Sequence, residues 1–202
     1  FFKQKTAYEI STRDWSSDVC SSDLLVGQMA AAVAGVVNAQ QQLGVNLQEP
    51  IGTVASKPLF AVGAPQVVAA TGNAKNASGQ YIASASLTVT DPSALQPFDY
   101  ELAPDPAGSG QYQLTRLSDP PTSQLINSGD VVDGLRIDVG PGAMAATDRF
   151  RLKPLAQAAS GMQALLSDPR DVAAASPMLA TVSPSNTGDR KSTRLNSSHE
   201  WI

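Results

Sequence analysis

Between residues 83 and 153, apolar and polar side chains alternate in short runs cut by Pro, Gly and Asp. A period of two places one set of side chains on each face of an extended strand, so this stretch is committed to β-structure. In the run from Ala83 to Thr90, Ala83, Ala85, Leu87 and Val89 alternate with Ser84, Ser86, Thr88 and Thr90. Phe98, Tyr100 and Leu102 alternate next, and the turn-forming run Asp105 to Gly110 follows. Tyr112 and Leu114 continue the pattern beyond that turn, which predicts an antiparallel hairpin. Asp119-Pro120-Pro121 interrupts, and Leu135, Ile137 and Val139 resume after Asp133-Gly134. Phe150 and Leu152 then alternate with Arg149, Arg151 and Lys153. Short strands with frequent turns predict an antiparallel sheet, sandwich or partial barrel.

The flanks carry a different period. From Leu25 to about Leu43, Met29, Val33, Val36 and Val37 recur at helical spacing, and Gly44 is a candidate C-cap. Residues 46–58 are broken by Pro50, Gly52 and Pro58 and read as a loop, and Leu59 to Val62 reads as a strand-like anchor. After Pro154, the small-residue run with Ala156, Ala158, Ala159, Met162, Leu165 and Leu166 is amphipathic at helical spacing, and Asp168-Pro169 stops it. The expected fold class is mixed α/β (α+β), mainly β. An antiparallel β module is inserted between two helical arms, with disordered or artefactual termini. The helix with Met29, Val33 and Val37 is expected to contact the helix with Met162, Leu165 and Leu166. Any apolar stripe left exposed on these helices would mark a missing neighbour.

The two ends need separate treatment. Trp15 to Leu24 can be encoded by TGG AGT TCA GAC GTG TGC TCT TCC GAT CT. The reverse complement of that DNA, read one base out of frame, encodes Asp189 to Ser197. Folding gives no reason for two termini to be reverse complements. Both ends resemble translated sequencing adapters, and the stretch from Lys3 to Ile10 resembles the matching primer. The expected organisation is therefore residues 1–24 an adapter-derived tail, 25–58 a helix and linker, 59–154 the β module, 155–188 a helical return, and 189–202 a second adapter-derived tail.

Setting the tails aside removes Cys20, His199, Trp15 and Trp201, so the interior lacks Cys, His and Trp. That excludes thiol and serine–histidine catalysis in their common forms, and thiolate or imidazole metal sites. The tails hold equal numbers of acidic and basic residues, so the net charge of −4 belongs to the interior. An acidic chain without a basic cluster has no electrostatic footprint for nucleic acid or anionic lipid. No uninterrupted apolar run reaches the length of a membrane span, since Gly27, Gln28 and Gly35 punctuate the apolar stretch from Leu25 to Val37.

Each candidate for chemistry has a plainer reading. Asp130, Asp133 and Asp138 could offer oxygens to a hard cation, but the EF-hand spacing is absent and Asp133-Gly134 is a common hairpin device. Arg149, Arg151 and Lys153 could meet a phosphate or an acidic partner, but an alternating charged row usually marks a solvated face or a protected edge. Asp99 and Glu101 lie on one outer strand face, whereas a glycosidase pair faces across a cleft. Gly140-Pro141-Gly142 lacks the Lys-Ser/Thr of a phosphate loop, and Asn76-Ala77-Ser78 is a glycosylation tripeptide that arises often by chance. No catalytic residue, metal ligand or cofactor is expected.

The order of segments resembles a known family. Asn38-Ala39-Gln40-Gln41-Gln42-Leu43-Gly44-Val45-Asn46-Leu47 is similar to a run that closes a helix in the flagellar hook-associated protein 1 family. Leu59-Phe60, Val89 to Leu95, Asp99 to Leu102, Tyr112 to Asp119, Asp133 to Leu135, Asp148 to Pro154 and Leu165 to Ala175 resemble its later segments in the same order. Gln41 stands where the family often has His and Asn46 where it often has Asp, both read as loop changes. The family's terminal helical regions have no counterpart here. The resemblance implies a non-enzymatic, extracellular subunit of the flagellar axis that joins hook to filament. It implies contact with hook protein below and hook-associated protein 3 above, self-association in the axis, and export through the flagellar channel in an unfolded state. The alternative is a β module of another extracellular axial or surface protein, such as hook protein, an adhesin or a phage tail component. A carbohydrate-binding or hydrolytic domain needs an aromatic groove, and Phe60, Tyr81, Phe98, Tyr100, Tyr112 and Phe150 fall mostly on core faces. The junction reading requires Leu25–Leu43 and Leu155–Leu166 to be helices at one end of one β module.

Overall fold

The computed structural model describes residues 7–48 and 57–173, with residues 7–21 as helical backbone only. One long helix, α1 (Ala7–Gln42), precedes a module of short strands. These are β1 (Phe60–Ala61), β2 (Gln66–Ala69), β3 (Ala85–Val89), β4 (Tyr100–Pro104), β5 (Tyr112–Arg116), β6 (Thr122–Ile126), β7 (Val131–Val132), β8 (Leu135–Val139), β9 (Phe150–Lys153) and β10 (Gln163–Ala164). A 3-10 turn spans Pro169–Asp171.

The strands form a five-stranded sheet in the order β2-β9-β4-β5-β6, a three-stranded sheet β3-β8-β7 and the pair β1-β10. Every pairing is antiparallel. The expected hairpin is β4–β5, with Tyr100 opposite Arg116 and Pro104 opposite Tyr112. Its turn is held by the Asp105 carboxylate, which accepts from the backbone N–H of Ala107 at 3.0 Å and of Ser109 at 3.3 Å. Asp133-Gly134 joins β7 to β8 with φ +51° and +75°, the pair of left-handed residues that a two-residue hairpin turn matched to strand twist requires.

Alternation delivers the core. Leu87, Tyr100, Leu102, Leu114, Leu135, Ile137, Phe150 and Leu152 from the two larger sheets meet between them, joined by Leu95 and Leu155. Burying each such side chain contributes about 1.5–3 kcal/mol. Polar staples close the ends. Asp148, fully buried, accepts from the N–H groups of Ala74 (2.7 Å) and Ala145 (2.8 Å). Asn73 both donates to the Arg149 carbonyl (2.9 Å) and accepts from its N–H (2.8 Å).

Three expectations need correction. The stretch 155–166 is not a second helix: it is a series of turns ending in β10. Its backbone is engaged elsewhere, since Leu165 donates to the Leu59 carbonyl (2.8 Å) and Ala158 accepts from Gly63 (3.4 Å), so residues 59–63 compete with helical bonding. The predicted helix begins well before Leu25, because α1 is continuous from Ala7. By length and composition alone the 21-residue stretch Ser22–Gln42 is apolar enough to cross a membrane, because its mean hydropathy stays high despite Gly27, Gln28 and Gly35. The 174–188 part of the expected helical return, and the tail 189–202, lie outside the described residues.

Candidate functional site

Helix α1 has two faces of opposite character. Gly27, Ala30, Ala31 and Ala34 turn toward the β module and are buried. Val26, Met29, Val33, Val36 and Leu43 turn away, and each is between 50% and 67% exposed. Their spacings of three, four, three and seven residues follow a heptad seam, the pattern by which one helix packs against another. A run of large apolar side chains left in water at that spacing is the pattern expected of a surface that takes a neighbour. The expected contact of Met29 and Val33 with Met162 and Leu165 is therefore not made: Met29 is 67% exposed and Leu165 44%. Small residues approach the module more closely than Met or Val could, so they took the inner face. Beside the seam runs an apolar groove of about 340 Å3 between α1 and the loop at Val62 to Pro65, floored by Leu87, Leu95 and Pro154.

The lower end of α1 is fastened by the segment around the 3-10 turn. Asp168 caps that turn by accepting from the Arg170 N–H at 2.9 Å, and this bond foremost holds its carboxyl below the ordinary value. Asp171, itself buried, takes the Lys57 ammonium at 3.2 Å and the Gln48 amide at 3.0 Å.

The sequence-derived candidates for chemistry are dispersed into separate structural contacts. Asp130 accepts from the Asn127 N–H at 2.8 Å, Asp138 pairs with Arg136 at 3.1 Å, and Asp133 receives both the Tyr100 hydroxyl and Arg116 at 2.6 Å. Among the described residues no cluster of His, Cys, Asp or Glu is placed to hold a metal ion. Burial foremost, and then the bond to Asp133, push the Tyr100 hydroxyl well above its ordinary value, so it remains a donor across the neutral range. This network lines a polar cleft of about 290 Å3 with Thr122, Ser123 and Gln124. It ties the five-stranded sheet to the β7–β8 turn.

The row Arg149, Arg151 and Lys153 is neither free nor on a sheet edge, because β9 lies between β2 and β4. Arg149 faces Glu101 at 3.7 Å and Arg151 faces Asp99 at 4.0 Å, so the carboxylates and the basic row balance each other across neighbouring strands. Asp99 is half-buried and its carboxyl is raised by burial against the opposing pull of Lys153 and Arg151. Asn76 belongs to a tight exposed turn, accepting from Ser78 (2.9 Å) and Gln80 (3.0 Å). What the sequence reading missed is Gln41. It is a buried residue inside α1, not a loop position, and its amide bonds the chain at Asp171 and Ala173.

Among the described residues these candidate side chains are held apart in separate contacts. The family model for flagellar hook-associated protein 1, D2-like domain, matches residues 71–154. Flagellar hook-associated protein 1 of Escherichia coli (strain K12) is 32% identical over 164 residues, which is 80% of this chain and 27% of that protein. The structure of the flagellar hook junction protein FlgK from Burkholderia pseudomallei superposes with a TM-score of 0.66 at 28% identity, over 84% of this chain and 29% of that one. The chain spans a little over a quarter of the length of each of these relatives. Matched through its strands by the D2-like domain, and along most of its length by these longer proteins, the chain belongs to the flagellar hook-associated protein 1 family.

Proposed function

We propose that the chain acts as a structural subunit at the hook–filament junction of the bacterial flagellum, as part of a hook-associated protein. The observation that carries this reading, beside the family, is the exposed apolar heptad face of α1 next to a module whose own core is closed. In an axial assembly that face takes a neighbouring helix, and the module projects and braces. Catalysis has no part in the role, and no cofactor, nucleic acid or membrane is required. The partners are hook protein, hook-associated protein 3 and further copies in the axis, and the site of action is outside the cell after flagellar export. Within this reading, residues 25–58 belong to the helical region and 59–154 to the β module. Residues 155–188 lead back toward the helical region, and 1–24 and 189–202 are adapter-derived.

The test is a chimera. Residues 25–173 replace the matching segment of the Escherichia coli relative, and filament attachment is scored in cells lacking that relative. The chimera should retain filaments, and Val33→Lys with Val36→Lys should release them. Normal attachment with both lysines in place would sink the proposal. Genomic sequence across Leu24–Leu25 and Gly188–Asp189 tests the tail assignment: a native reading frame that continues as these tails would overturn it.

A further inference from the structure

The seam between α1 and the β module holds more than apolar contact. The Gln28 side chain donates to the Leu95 carbonyl at 2.6 Å. Ten residues on, the Asn38 amide donates to the Phe60 carbonyl at 2.8 Å and accepts from the Phe60 N–H at 2.9 Å, as a neighbouring strand would. One turn further, the Gln41 amide donates to the Asp171 carbonyl at 2.7 Å and accepts from the Ala173 N–H at 3.0 Å. These bonds fasten the helix to three separate parts of the chain at three heights: the loop before β4, strand β1 and the end of the 3-10 turn with the residues that follow it. Two points cannot stop rotation about the line that joins them, whereas three points off one line fix both tilt and rotation.

Close approach supplies the second constraint. A Cβ on Gly27 would stand 2.6 Å from the Leu155 carbonyl oxygen, and one on Gly35 would stand 2.8 Å from the Pro92 ring. Glycine inside a helix is unfavourable relative to alanine. Here that cost brings the helix backbone into direct contact with the module at two of its levels.

We propose that Gln28, Asn38 and Gln41, with Gly27 and Gly35, form a rigid joint that sets the bearing of the β module on α1. A load on the module then passes into the helix without being absorbed by a hinge. The joint is a property of the folded chain itself. A chimera that fails to hold filaments leaves it standing, and a loose joint leaves the junction role standing.

The test measures the distance between nitroxide labels at Asp23→Cys and Ala107→Cys in a Cys20→Ser background. Both labelled positions are exposed. The reference should give one narrow distance distribution. The triple variant Gln28→Ala, Asn38→Ala, Gln41→Ala should widen it about two-fold, with amide NMR shifts of residues 85–153 unchanged to show that the module is folded. Gly27→Ala with Gly35→Ala should displace the mean distance. Asn38→Ala alone is the milder variant, should the triple change unfold the chain, and it should widen the distribution partway. A broad reference overturns the proposal. So does a folded variant, triple or single, whose distribution stays as narrow as the reference and centred at the same distance.

Discussion

The β module and helix α1 sort side-chain size in opposite ways. In the module the large residues are inside: Tyr100, Leu102, Leu114, Ile137 and Leu152 are all under 3% exposed, while Arg149, Arg151 and Glu101 lie at or near the surface. In α1 the small residues are inside and Val26, Met29, Val33, Val36 and Leu43 are outside. The module's large residues pack on one another, and α1 adds only Ala31 to that buried cluster. A helix that keeps its largest apolar residues in water has done half of its packing and awaits the other half.

The sharpest way to break this contrast is to cut the core. Leu102→Ala or Leu152→Ala removes a side chain with 0% exposure between the two sheets, and should destabilise the chain by about 2–5 kcal/mol in urea unfolding. A loss below about 1 kcal/mol would mean that the sheets do not share one cooperative core. Next in size is the tie between the sheets. Asp133→Asn keeps a residue that tolerates the left-handed turn but removes the charge that Arg116 meets at 2.6 Å. Because Arg116 is one-third exposed, solvent recovers part of the loss, and about 1–2 kcal/mol is expected in the same assay. The smaller contrast lies on the helix. Val33→Lys should change the stability of the isolated chain by no more than about 0.5 kcal/mol, since half of Val33 is already in water. A large loss there would place Val33 in the fold's own core and remove the case for a docking face.

Legibility in the sequence followed the same division. The period of two marked β3, β4, β5, β8 and β9, because each has one face on the shared core. It could not mark β6, where Thr122, Ser123, Gln124 and Leu125 are all exposed and only Ile126 is buried. A strand at the edge with both faces wet leaves no alternation to read. The helix was legible from its apolar spacing, but its orientation came out inverted. Hydrophobicity points to Met29 and Val33 as the buried face, while the module's backbone admits only Gly and Ala there. The run after Pro154 carries a helical pattern too, yet residues 59–63 take up its backbone hydrogen bonds. Such competition has no local signature. Nor do the clasps made by Asn38 and Gln41, whose amides look like ordinary solvated helix residues until the chain returns at Phe60 and Asp171.

The smallest expected effect tests whether the module's outer face is as self-contained as its core. Asp99 sits half-buried beside Arg151 and Lys153, and burial outweighs their pull, so its folded pKa lies above the ordinary 3.8. A carboxyl with a raised folded pKa holds its proton more tightly in the native state, so its contribution to stability is fully present below the ordinary 3.8. That contribution is lost as pH rises through the raised value. Asp99→Asn removes the titration. The variant should therefore gain thermal stability relative to the parent between pH 3 and pH 7, by a degree or two at most, because the ion pair at 4.0 Å is weak. If the parent instead gains on the variant over that range, the cross-strand pair outweighs burial. The basic row of β9 would then be a stabilising element of the module and not a solvated face held in balance.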